Sequence, residues 1–137
     1  MEQTSRSNAA KEAYILANTN GIFSNQDIPA IIHQIDDHKY FINQSIPWVI
    51  TWDDAAFSWY ENVFTPIMNV ATSWEVRNAF GQKTPKELYF EISQHWYYLQ
   101  EKNPAIDANY AAISYAATYG KGLGRWLSRL TIGRNVA

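Results

Sequence analysis

A chain of 137 residues without a single cysteine has no disulfides, no thiolate nucleophile and no cysteine-ligated metal. Its net charge of −2 excludes a global electrostatic pull toward nucleic acid. Hydrophobic residues make up 47% and charged residues 18%, which excludes disorder and suits one domain with a real core. Six Trp and nine Tyr predict a core built from rings, with a surplus that suits a partner surface. No apolar run reaches the ~20 residues that span a bilayer. The N-terminal stretch lacks the charged start and apolar run of a secretory signal. Together with the missing cysteines this predicts a cytoplasmic location, with association at a membrane surface through the tail left open.

Ser7 is placed to cap a short helix over 8–17, which Asn18-Thr19-Asn20-Gly21 ends with turn chemistry. This N-terminal arm, 1–26, orders only where it packs against something. Asp27 is the expected N-cap of the next helix, with Pro29 in its first turn. That helix aligns Ile31, Ile35, His38 and Ile42 on one face and should end near Asn43, because Ser45-Ile46-Pro47 favours extended backbone. Thr51 caps the next helix, and Asp53 and Asp54 suit the positive end of its dipole. Its apolar stripe runs through Ala56, Trp59, Tyr60, Val63 and Phe64. The spacing continues past Pro66 to Ile67, Val70 and Trp74, which predicts a kink at the proline rather than an end.

Thr84-Pro85-Lys86-Glu87 is a capping box with proline at the first helical position. The helix it opens aligns Leu88, Ile92, His95 and Leu99, the same spacing as Ile31, Ile35, His38 and Ile42. Asn103-Pro104 breaks it, and Asp107 caps a last helix with Ala111, Ala112, Tyr115 and Tyr119, terminated at Gly120. Ile35–Tyr60 and Ile92–Tyr115 therefore read as two versions of one helical hairpin. The expectation is an all-α fold of about five helices, with the two hairpins packed as a duplicated unit over 27–120.

His38 and His95 occupy matching places on these faces. They read as paired core histidines, each hydrogen-bonded to a group of the neighbouring hairpin. The sharper alternative makes them metal ligands or acid–base groups, with Glu91, in a small metal- or ligand-binding enzyme. The i, i+3 Glu–His spacing of di-iron bundles is missing, since Gln94 stands three residues after Glu91. His33–Asp37 and Glu91–His95 read as i, i+4 pairs on helix surfaces. No nucleophile elbow or phosphate loop is present in the sequence, so no catalytic residue, metal or cofactor is expected.

The tail, 121–137, is basic and amphipathic. Leu123, Trp126, Leu127 and Leu130 share one helical face, and Lys121, Arg125, Arg129 and Arg134 carry the charge. It suits a groove on a protein partner, an anionic membrane surface or nucleic-acid phosphates, or it folds back on the core. The reading that follows is a non-enzymatic binding or adaptor subunit that docks onto a larger protein assembly through this tail and the aromatic helix faces. A nucleic-acid-associated regulatory module is the alternative.

Five stretches carry a family resemblance: His38-Lys39-Tyr40-Phe41, Trp52-Asp53-Asp54-Ala55, Ser58-Trp59-Tyr60 with Val63, Phe64 and Pro66, Phe80-Gly81 with Thr84, Glu87, Leu88 and Tyr89, and His95 with Leu99. In this order and spacing, over about 32–115, the chain resembles a bacterial helical module of conserved proteins without established activity, found near lipopolysaccharide-kinase-like and ParB-like domains. Gln82-Lys83 stands where that pattern has Gly-Arg, and Glu87 where it has Asp. The resemblance implies an all-α accessory or regulatory module.

Overall fold

The computed structural model describes residues 7–120. Those residues fold as helices joined by short turns, so the fold is all-α. The elements are α1 (Asn8–Asn18), α2 (Ile28–Ser45), α3 (Trp52–Trp59), a π-helical turn (Tyr60–Phe64), α4 (Thr65–Ala71), α5 (Trp74–Ala79), α6 (Pro85–Lys102) and α7 (Ala108–Tyr119). The chain divides into two compact units, Met1–Glu61 and Asn62–Ala137.

Most helix starts are set by the expected side chains. The hydroxyl of Ser7 accepts from the Ala10 N–H, that of Thr51 from the Asp54 N–H, and the carboxylate of Asp107 from the Tyr110 N–H. Thr84 and Glu87 form the complete capping box, each side chain accepting from the other's backbone N–H. Asp27 holds the expected N-cap position of α2 without a side-chain cap bond. Its carboxylate accepts from the backbone N–H and the hydroxyl of Ser24, which turns it away from the first turn of α2. A nearby hydroxyl donor has outcompeted the cap. α2 also runs on to Ser45, two residues beyond the expected stop, and Pro47 still prevents further extension.

The run around Pro66 also differs. A proline ring clashes with the carbonyl four residues back, here Asn62, and offers no N–H to it. The backbone answers with a widened π-helical turn over Tyr60–Phe64, immediately before α4. The periodic run then stops at Ala71, because the Thr72 hydroxyl donates to the Met68 carbonyl and Ser73 caps a new helix. Trp74 begins that helix and is exposed, so it does not continue the apolar stripe. α5 is the element beyond the expected five, if α3 to α4 is taken as one run.

In the first unit, Ile31 and Ile35 of α2 are buried with Ala55, Ala56 and Trp59 of α3. Within the N-terminal arm, α1 packs on the cluster around Trp52. Tyr14 meets the Trp52 ring edge-on at 5.7 Å, and Lys11 lies over the same ring at 5.3 Å and 3.9 Å from Asp36. The Trp52 indole N–H donates to Asp36, which closes the cluster. In the second unit, α4, α6 and α7 pack against one another. Ile67, Leu88, Ile92, Ala111 and Ala112 fill the centre, and Phe64 packs on Tyr89 at 5.7 Å. Alanines at Ala108, Ala111 and Ala112 keep α7 thin enough to sit close to both neighbours.

Candidate functional site

The long helices α2 and α6 each carry one histidine toward the helix that follows. His38 Nε2 lies 2.8 Å from the Ser58 hydroxyl on α3, 20 residues on. His95 Nε2 lies 3.1 Å from the Ser114 hydroxyl on α7, 19 residues on. Both serine partners belong to the histidine's own hairpin, not to the neighbouring one as expected. The reason is local, since α2 packs on α3 and α6 packs on α7. Both rings are half-buried, and burial lowers both pKa values below the ordinary 6.5.

One turn before each histidine, a second bond crosses the same hairpin. The indole N–H of Trp59 donates to Gln34 at 3.3 Å, and the hydroxyl of Tyr115 donates to Glu91. The spacings are 25 and 24 residues, again one shorter in the second hairpin. Glu91 therefore does not pair with His95. Its other oxygen accepts from Lys83 at 2.9 Å. Burial pushes the Glu91 carboxyl up, but the hydrogen bonds from Lys83 and Tyr115 outweigh it and hold the group below its usual value. The same bond raises the Tyr115 phenol, after the larger effect of burial, so it stays protonated as a donor. His33 and Asp37 do form the expected surface pair, at 3.4 Å.

Lys83, Glu91, His95 and Tyr115 border an open cleft of about 720 Å³ on the second unit. Its ring walls are His95, Tyr98, Tyr115, Tyr119 and Phe80, and its charges are Lys83 and Glu91. The rings support one another. Tyr115 and Tyr119 stand 4.9 Å apart, Phe80 stacks on Tyr115 at 5.5 Å, and His95 lies 5.9 Å from Tyr115 and 6.1 Å from Tyr119. Tyr119 is 59% exposed, so it forms a rim and not part of the core face expected for it. Gly120 ends α7 with φ −91°, an ordinary extended conformation, so no left-handed cap is involved.

Sequence reasoning named His95 and Glu91 but missed Lys83, Tyr98, Tyr115 and Tyr119 as their companions. Lys83 precedes α6 and reaches Glu91 across eight residues, a separation with no helical signature. Tyr115 and Tyr119 were placed on the last helix, but nothing in the spacing paired them with Glu91 or His95. Among the described residues, no three His, Asp or Glu side chains converge to hold a metal ion. The tail residues Lys121, Leu123, Arg125, Trp126, Leu127, Arg129 and Leu130 lie outside the described residues. No described helix is long and apolar enough to cross a membrane. Comparisons with protein-family models, with curated proteins and with solved structures gave no match.

Proposed function

We propose that this protein is a non-enzymatic binding module, an adaptor that docks onto a larger protein assembly. The observation that carries the reading is a set of large apolar side chains left in water on one hairpin. Tyr40 and Phe41 project from the end of α2, Trp48 and Val49 from the turn, and Phe57 from α3, all exposed. Trp48 is 62% exposed. Single exposed apolar residues are ordinary, but several on one hairpin mark an interaction surface, and Trp and Tyr anchor such surfaces. The turn that presents Trp48 is held in place, because the Asn43 side chain accepts from the Ile50 N–H at 3.0 Å. Ordering that segment therefore costs little at the moment of binding.

The α2–α3 and α6–α7 hairpins are, in this reading, two copies of one unit. The matched histidine–serine bonds, the matched ring-to-acceptor bonds and the caps at Thr51 and Asp107 support it. The tail remains the second proposed contact, and a cytoplasmic location goes with it. The resemblance to a bacterial accessory module points the same way.

Affinity purification from the source cell tests the reading with three chains: the intact protein, a Phe41→Ser/Trp48→Ser variant and a truncation ending at Tyr119. A stoichiometric partner held by the intact chain and lost from either altered chain is expected. Its retention by both would remove the proposed contacts, and no stoichiometric partner at all would remove the adaptor reading. Binding to nucleic acid that weakens steeply with salt and with neutralised Arg125 and Arg129 would replace it with the regulator.

A further inference from the structure

We propose that the cleft bordered by α6 and α7 is a binding site for a small organic cation of the quaternary-ammonium type. Its size, about 720 Å³, falls among small-molecule sites. Rings make up most of its walls, and methylated ammonium groups bind ring faces because the ring quadrupole attracts their charge. One ring already carries an ammonium group, since Lys102 Nζ stands 5.0 Å from the centre of Tyr98.

The charges fit the same ligand. Glu91 supplies a carboxylate that stays ionised, with acceptor capacity left on both oxygens after the bonds to Lys83 and Tyr115. Glu87 also acts on Lys83, and Lys102 over Tyr98 balances the remaining charge, so the attraction comes from the Glu91 oxygens and the ring faces at short range rather than from a net charge. His95 is held toward its neutral form and contributes a ring rather than a charge. An anionic ligand would meet Glu91 and would have to take Lys83 from it. A neutral apolar ligand would cover the carboxylate without any compensating charge. A cation without N–H groups needs no hydrogen-bond acceptor of its own and uses the rings and the field of Glu91 together.

On the first hairpin the place of Glu91 is taken by Gln34, which keeps its ring-donor bond without the charge. This suggests the informative substitution, Glu91→Gln, which preserves an acceptor for Tyr115 and removes the negative charge. The cleft shares none of the exposed residues on which the adaptor reading rests, so the two stand or fall separately.

The test is a titration of the full chain with choline and with its uncharged isostere 3,3-dimethylbutan-1-ol, following the three histidine rings by NMR. Of the three histidines, His95 borders the cleft, and His33 and His38 serve as internal references. A saturable shift of His95 alone is expected with choline, with affinity for the alcohol weaker by about tenfold or more. Glu91→Gln should weaken choline by a similar factor while the His38 resonance stays in place. If Glu91→Gln disturbs His38 as well, Tyr98→Ala, a change at an exposed rim ring, is expected to weaken choline in its place. Equal affinity for choline and the alcohol would overturn the proposal. So would the absence of a saturable His95 shift, a shift shared by all three histidines, or unchanged choline affinity in the variant that retains its fold.

Discussion

His38 Nε2 lies 2.8 Å from the hydroxyl of Ser58, and this bond joins α2 to α3 on the half-buried side of the first hairpin. The bond suits a neutral imidazole, and burial lowers the pKa of His38 from 6.5. The unfolded chain therefore takes up this proton at a higher pH than the folded one. The resulting contribution to stability is complete above about pH 6.5, falls as the pH drops below it, and is fully lost beneath the folded value. Urea unfolding between pH 8 and pH 4.5 should show this slope, and His38→Gln should reduce it to the part that His95 supplies. Ser58→Ala should cost about 1–2 kcal/mol at pH 8, because it leaves a part-buried ring nitrogen without that partner.

Glu91 and Tyr115 carry the same acid limb of the pH profile to lower pH. Burial raises the Glu91 carboxyl, yet the bonds from Lys83 and Tyr115 leave it below its ordinary 4.5. Its contribution is present above about pH 4.5 and is lost as the pH falls through the lower folded value. Glu91→Gln should therefore lose its disadvantage relative to the native chain as the pH approaches 3. In a spectrophotometric titration Tyr115→Phe should remove one late-ionising phenol, because burial and the bond to Glu91 raise Tyr115. The same substitution should destabilise by about 1 kcal/mol at pH 7, a value kept small by the partial exposure of Glu91.

How much of this was legible depended on distance along the chain. The caps at Ser7, Thr51, Thr84 and Asp107 were readable because a cap and its target lie within three residues. The matching faces of α2 and α6 were readable because helical periodicity is local. Asp27 holds the N-cap position, but its carboxylate accepts from Ser24 instead, a competition between two local motifs that residue type does not settle. Trp74 was misread because an apolar residue at the right spacing hid the Ser73 cap that starts a new helix. The Lys83–Glu91–Tyr115 chain was illegible for another reason. It is assembled by the packing of α6 on α7, and only the folded hairpin brings its members together.

The alanine pairs give a stability prediction with a clear sign. Ala56 and Ala112 are fully buried, in α3 and α7, where each helix packs against its long partner, α2 and α6. Alanine has high helix propensity, so replacing it by leucine changes the backbone preference little and mainly adds volume. That volume has no place to go without shifting the helix or forcing neighbouring side chains off their rotamers. Ala56→Leu and Ala112→Leu should each destabilise by about 1–3 kcal/mol, read as a lower urea midpoint with an unchanged slope. Ala117→Leu is the control, because that residue lies exposed on α7 and the larger side chain remains in water. It should change the unfolding free energy by less than about 0.5 kcal/mol. Equal effects at Ala112 and Ala117 would mean that α7 does not approach its neighbours as closely as its small residues permit.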